Sequence, residues 1–396
     1  MTDVVIEPPR GGEPWLLTPG PLTTSHAVKA AMLRDLGSWD ADFRAMTAEL
    51  RARLVALPGP GSEAFTAVPM QGSGSFVVEA MLGTLIPRKA KALVLANGAY
   101  GQRAAAALAR MGRAAEVLDK GDYLPPRGAE LAERLARDAA ITHVVAIHCE
   151  TSSGILNPLA EIAGATAAAG RRLLVDSMSA FGAVELPPGL PFDALVSSAN
   201  KCIEGVPGFG FALVRRDVLE QAAGAAHSLA LDLHAQWAEM ERSGQWRYTP
   251  PTHAVAAFLQ ALREHEAEGG VAARGARYAA NRDALVAGMR ALGFETLLDD
   301  RWLSPVITTF FHPADPAFRF TEFYDRMKAR GFILYPGKLT VADSFRVGHI
   351  GRLDAGVMRA VVEAAAATLG EMGVASAAPA PQALAEKRRA QEELAR

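Results

Sequence analysis

The sequence predicts an α/β protein: a large domain built on a mainly parallel, doubly wound sheet, followed by a smaller C-terminal α+β domain. Three observations carry this. From about residue 70 to 215, apolar runs of four to six residues alternate with Ala-rich amphipathic stretches, the rhythm of buried strands joined by helices. At 396 residues the chain exceeds one ordinary domain, so two lobes are expected. After residue 300 the pattern changes to a short strand, helix, strand, strand, helix order.

Taken in order, residues 1–14 are Pro- and Gly-rich and read as a flexible N-terminus. The large domain is expected over 15–265. Its strands fall at 92–96, 115–118, 143–148, 173–176, 195–198 and 209–214, and its helices include 76–86, 101–111, 129–138 and 159–169. Two long helical patterns follow, 252–268 and 271–292, separated by Gly269-Gly270. The small domain, 266–372, reads as strand 306–311, helix 321–330, strands 333–335 and 345–348, and helix 355–371. Residues 373–396 read as a flexible linker and a solvated, charged helix. In sheets of this kind, ligands bind at the carboxyl ends of the strands.

Composition narrows the function classes. No run reaches the roughly 18 to 20 uninterrupted apolar residues of a spanning helix. The start, Met1-Thr-Asp-Val-Val-Ile-Glu-Pro-Pro9, has neither a basic opening nor an apolar core, so no secretory signal is expected. Two cysteines, Cys149 and Cys202, fit a reducing cytoplasm rather than a disulfide scaffold. A net charge of −2 gives no reason to expect nucleic acid or membrane as partner. Only 8 of the 41 basic residues are lysines, so a lysine in an apolar setting stands out.

Lys201 is that lysine. It ends Asp193-Ala-Leu-Val-Ser-Ser-Ala-Asn-Lys201, an apolar strand giving way to small residues, with Gly205-Val-Pro-Gly208 beyond it. Twenty-five residues earlier, the apolar run Leu173-Leu-Val-Asp176 ends in a carboxylate. Neighbouring strands would bring the amine and the acid to one sheet edge. There the amine can form a Schiff base with the aldehyde of pyridoxal phosphate, and the acid can keep the pyridine nitrogen protonated. Burial lowers an amine's pKa and favours its nucleophilic form. Asp176 read alone is either a turn cap or such a counter-charge.

Other residues fit the same edge. Gln71-Gly-Ser-Gly-Ser75 precedes a helix, where Ser73, Gly74 and Ser75 could cradle a phosphate or simply start the helix. Val77 breaks a Gly-x-Gly-x-x-Gly pattern, which weakens a dinucleotide reading. Tyr100, in Asn97-Gly-Ala-Tyr-Gly101, could stack on a ring or pack a strand–helix junction. Thr151 could donate to a ring oxygen or cap its turn. Arg346, in Ser344-Phe-Arg-Val-Gly348, points opposite to Phe345 and Val347 by strand alternation; it could clamp a carboxylate or phosphonate, or face solvent. Cys202 reads as a buried structural thiol.

Taken together, these segments resemble the class V, fold-type I pyridoxal phosphate aminotransferases, and within them the 2-aminoethylphosphonate–pyruvate aminotransferase family. The resemblance runs from about Trp15 to Leu369. It rests on Leu16-Leu-Thr-Pro-Gly-Pro-Leu-Thr-Thr24, Leu36-Gly-Ser-Trp-Asp40, the Gln71–Ser75 and Asn97–Gly101 segments, Ser197–Phe209, Leu229-Ala-Leu-Asp-Leu233, Pro251-Thr-His253 and Tyr335-Pro-Gly-Lys338. It implies a fold-type I transferase with Lys201 holding the cofactor, Asp176 on the pyridinium nitrogen, Tyr100 on the ring and Thr151 on the ring oxygen. Ser73, Gly74 and Ser75 would take the phosphate, with Asn200 nearby and Thr249 reaching over from the second subunit of a homodimer. Arg346 would bind the substrate anion, and the loop holding Gly20 would close over it. The implied reaction moves the amino group of 2-aminoethylphosphonate to pyruvate, with no metal. Alanine–glyoxylate and serine–pyruvate aminotransferases, which would share the cofactor residues, are the alternative. A cysteine desulfurase, a pyridoxal-binding scaffold and a nicotinamide enzyme are more distant readings. Residues 1–14 and those beyond about 373 lie outside the resemblance.

Overall fold

The structure, a computed structural model, describes residues 6–338 and 342–395; residues 1–5 of the expected flexible start and Arg396 of the expected tail lie outside them. At its centre is a seven-stranded sheet. Its order is Phe65–Gln71, Phe209–Arg215, Ala194–Ser198, Arg172–Asp176, Ile141–Ile147, Lys91–Ala96 and Ala114–Asp119. Only Phe209–Arg215 runs against its neighbours. The central strands are buried along nearly their whole length, because helices cover both faces and leave no side of the pleat for polar residues. That is why they read as unbroken apolar runs.

The strand Phe65–Gln71 lies outside the expected set. Pro69 sits in its middle, a residue that normally argues against a strand. Here the strand is an edge, pairing only with Phe209–Arg215, so the missing N–H of Pro69 removes no inner ladder bond. Gln236 Nε2 donates to the Pro69 carbonyl at 3.0 Å.

The second domain packs a three-stranded antiparallel sheet, in the order Ile307–Phe311, Ser344–Gly348, Tyr335–Pro336, against the helices Gly270–Ala291, Phe320–Ala329 and Ala355–Met372. Its core is a cluster of rings around Phe345, whose centroid lies 5.6 Å from Phe294, 5.7 Å from Phe310 and 5.6 Å from Phe323. Phe345 and Val347 enter this core while Arg346 between them faces the large domain.

Two segments depart from the expected division. Trp15–Leu16 pairs in parallel with Phe332–Ile333, and Gly348 N donates to the Leu17 carbonyl at 2.9 Å. This stretch completes the small domain rather than opening the large one, because Leu17 is buried in the small-domain core. The charged end does not trail away either. Its helix, Pro381–Ala395, lies back on the small domain: Ala377 is buried, and Lys387 Nζ donates to the Thr296 carbonyl at 2.8 Å. Among the described residues no helix is long and apolar enough to cross a membrane.

A buried ionic network ties the long helix Gly270–Ala291 to the turn after Lys201. Glu204 accepts from Tyr278 Oη at 2.6 Å and Arg277 Nη2 at 2.7 Å. Arg274 and Arg277 each donate from Nε to Glu268 at 2.8 Å, and Arg274 Nη1 also donates to the Cys202 carbonyl. Burial alone would raise the Glu204 carboxyl pKa, but Arg274 and Arg277 outweigh it and hold it down to about 2. The network fixes the backbone on which Lys201 stands.

Phe345→Ala is expected to destabilise the small domain by about 3–5 kcal/mol, read as a lower urea midpoint with the far-ultraviolet spectrum retained below it. A loss under about 1 kcal/mol would mean that the ring cluster is not the core.

Candidate active site

The carboxyl edge of the large sheet and the N-terminal loop border a cavity of about 540 Å³. Gly20, Ser73, Gly74, Ser75, Tyr100, Arg103, Asp176, Asn200 and Lys201 line it. Asp176 is the last residue of its strand. Lys201 follows the next strand after a short turn, held by Ala199 N donating to the Phe209 carbonyl at 3.1 Å and Glu204 N donating to the Lys201 carbonyl at 2.7 Å. Strand order alone therefore delivers both groups to one hollow.

Neither group is paired as an ion. Part of the Lys201 side chain faces the open cavity, yet the protein surrounds its amine closely enough that burial pushes its pKa down to about 8, against the opposing pull of Cys202, Asp176 and Cys149. Nζ donates to the carbonyls of Pro19 and Gly20. Asp176 is buried, and burial pushes its pKa up to about 6 although Met178 N donates to it at 2.9 Å. No salt bridge closes on Asp176 among the described residues. A buried carboxylate without a cation is costly, so this site suits a ligand that brings a positive group. Beside it His148 Nδ1 meets Ser177 Oγ at 2.9 Å, and burial drives the imidazole down to about 4, leaving it neutral. Burial also pushes the Cys149 thiol up to about 12 and raises Cys202, so both remain inert.

The Ser73 end is built for an anion. Ser73 is the N-cap of helix Gly74–Leu85, yet its hydroxyl makes no cap bond, leaving it free to face the cavity. Gly74 is required by contact: a Cβ there would stand 2.5 Å from Met178 Sδ. Arg103, which the sequence reading passed over, reaches Ser75 Oγ at 3.3 Å. It lies one helical turn after Tyr100, and that spacing was the available signal. Asn200 Oδ1 accepts from Ser198 Oγ at 3.1 Å.

Arg346 reaches from the small domain to the Thr151 carbonyl of the large one. It is fully buried; Nε donates to the Pro336 carbonyl at 3.0 Å and Nη1 to the Thr151 carbonyl at 2.8 Å. Its Nη2 is buried with no partner, an unmet donor that an incoming anion would satisfy. Thr151 thus enters through its carbonyl, as the support for Arg346. Tyr100 N donates to Glu150 at 3.0 Å, and its ring lies under Arg103 at 4.9 Å and Lys338 at 5.5 Å. Thr249 is exposed and outside the cavity wall; its carbonyl accepts from Gln71 Nε2 at 3.2 Å, which puts it beside the phosphate-sized end.

The model of the aminotransferase class-V family matches residues 70–324. The chain belongs to this family. It is 66% identical over 379 residues to a 2-aminoethylphosphonate–pyruvate transaminase of Rhizobium meliloti (strain 1021), covering 96% of this chain and 99% of that one. A protein of the same name from Paraburkholderia xenovorans (strain LB400), numbered 1 there, is 65% identical over 381 residues, covering 96% and 98%. Among solved structures, pyridoxamine–pyruvate aminotransferase from Mesorhizobium loti superposes with a TM-score of 0.81 at 23% identity, over 92% of this chain and 94% of that one. Ureidoglycine–glyoxylate aminotransferase from Bacillus subtilis gives 0.82 at 22%, over 95% and 97%. Those two likenesses establish the fold. As a class-V aminotransferase the chain has the α/β fold with a second domain that its sequence pattern predicted.

The loop of Thr18-Pro-Gly-Pro21 packs closely on Lys201 in this site. Gly20 has φ +98°, and a Cβ on it would lie 2.4 Å from the Asn200 carbonyl oxygen and 2.7 Å from Lys201 Cδ. Gly20→Ala is expected to lower stability by about 1–3 kcal/mol and to speed proteolysis near residue 20, measured by thermal melting and timed chymotrypsin digestion. An unchanged melting point would show that the loop does not rest on Lys201.

Proposed function

We propose that the protein is a pyridoxal phosphate-dependent transaminase that moves the amino group of 2-aminoethylphosphonate to pyruvate, giving phosphonoacetaldehyde and L-alanine. One observation carries the reading: Lys201 and Asp176 share one cavity, each desolvated and neither neutralised by the other. Similarity of 65–66% over nearly the whole chain to transaminases named for this reaction supports the substrate pair.

Pyridoxal phosphate, when bound, supplies a protonated heterocycle that accepts the electron pair left as the donor carbon loses its proton. Asp176 would face the pyridine nitrogen and keep its proton there. Lys201 Nζ would hold the cofactor and, when free of it, would serve as the general base and acid for the proton of the donor carbon. That role requires Nζ to leave the Pro19 and Gly20 carbonyls. Ser73, Gly74 and Ser75 would take the phosphate at the helix N-terminus, and Thr151 and Asn200 would flank the ring. Arg346 Nη2 would take the phosphonate of the donor and, in the second half-reaction, the carboxylate of pyruvate.

We assign a homodimer with Thr249 of each subunit reaching the other's cavity mouth. Phe76 and Tyr248, both exposed apolar rings, lie next to that mouth, where a second subunit would cover them. Two free, buried thiols and the absence of any strongly charged balance suit the cytoplasm.

Lys201→Ala is expected to abolish both the visible absorbance of the protein–cofactor bond and turnover, in an assay of alanine formed from a panel of amino donors. Retained colour with full turnover would refute the assignment, and a preference for serine or another amino acid over 2-aminoethylphosphonate would refute the substrate. Because the folded amine has its pKa lowered to about 8, its reactive neutral fraction grows as pH rises toward that value and saturates above it. Cofactor uptake by stripped protein is therefore expected to accelerate by roughly tenfold per pH unit below 8 and then level off. A rate still climbing at that slope past pH 9 would show an unperturbed amine.

A further inference from the structure

Cations from both domains gather at Tyr100, which lines the cavity. The Arg103 guanidinium lies 4.9 Å and Lys338 Nζ 5.5 Å from the centre of that ring. The guanidinium of Arg346 stands 5.1 Å from the ring of Tyr335, its cross-strand neighbour. Lys338 comes three residues after Tyr335, so the strand pair that seats Arg346 also delivers Lys338. Its backbone approach is constrained: Gly337 N donates to the Ser344 carbonyl at 3.0 Å, and a Cβ on Gly337 would lie 2.4 Å from that oxygen.

The three cations are not equivalent. Arg103 donates to Ser75 Oγ and so belongs to the Ser73–Ser75 end. Arg346 has spent Nε and Nη1 on the Pro336 and Thr151 carbonyls. Its remaining Nη2 offers one contact, enough for one anionic oxygen. Lys338 forms no ion pair among the described residues; the charges acting on it are Arg103, Arg346 and Glu150, and the first two repel it. Glu150 in turn is committed to the backbone N–H groups of Tyr100 and Ser152. An ammonium on a flexible stem, resting against an aromatic face, is free to move to a second negative charge when one arrives.

We propose that Lys338 is the charge-selecting residue of the donor site: it joins Arg346 on a phosphonate dianion and stays on Tyr100 when the ligand is a monocarboxylate. The inference rests on the proposed use of 2-aminoethylphosphonate. It also explains how one cavity accepts a donor and an acceptor of different charge. Arg346 serves both anions, and Lys338 answers only the second charge.

The test uses the holoenzyme with Lys338→Ala and Lys338→Arg. Single-turnover half-reactions are followed with 2-aminoethylphosphonate and with L-alanine, and calorimetry measures ethylphosphonate and propionate, which lack the reacting amine. Lys338→Ala is expected to weaken ethylphosphonate binding and lower the rate constant per molar 2-aminoethylphosphonate by about tenfold or more. Propionate binding and the L-alanine half-reaction should change less than about threefold, and Lys338→Arg should recover most of the loss. Equal losses for both ligand classes, or none for the phosphonate, would overturn the inference. Unmodified enzyme that binds ethylphosphonate through Lys338 yet transfers no amino group from 2-aminoethylphosphonate would refute the proposed reaction alone.

Discussion

Desolvation of two opposite ionisable groups at one sheet edge is the constraint from which the rest of the site follows. Asp176 and Lys201 would ordinarily carry full charge, and burial pushes each toward neutrality. A direct ion pair would relieve that cost, but none joins them although both line the cavity. Lys201 instead spends its protons on the Pro19 and Gly20 carbonyls. A site left in this state is poised to accept a flat cation between the acid and the amine, since that ligand restores the missing counter-charge.

The architecture makes that state sustainable. The central strands lie under helices on both faces, so the sheet edge is rigid where it ends in Asp176 and Ser198. The turn that carries Lys201 is fixed from below by the Glu204, Arg274, Arg277 and Glu268 network, whose members compensate one another's burial. From above it is fixed by the Gly20 loop. That loop begins at a strand belonging to the small domain, so the small domain reaches Lys201 through it. Arg346 sits on the same domain, bonded across to the Thr151 carbonyl of the large domain.

Much of this was legible in the chain itself because parallel strands buried on both faces have no polar side to disguise them. Four of the central runs, one ending at Asp176 and one leading to Lys201, could be read on that ground. Phe65–Gln71 escaped because Pro69 imitates a break, and only its edge position makes it a strand. Trp15–Leu16 is too short for any periodicity and acquires its partner from more than three hundred residues away. The docked helix Pro381–Ala395 looked solvated because its composition is charged, while its anchoring depends on the Ala377 and Lys387 contacts. Arg103 offered only its spacing one helical turn after Tyr100, and Lys338 only its place at the end of Tyr335-Pro-Gly-Lys338. Their importance appears only when a helix of the large domain and a strand of the small one meet at Tyr100.

The central claim is that the Lys201 amine is the group that bonds to a pyridoxal aldehyde. Purified enzyme reduced with borohydride, digested and read by mass spectrometry tests it most directly. The account predicts a phosphopyridoxyl mass on the peptide containing Lys201 and on no other lysine. A label on a different lysine, or a cofactor released intact after reduction, would contradict it.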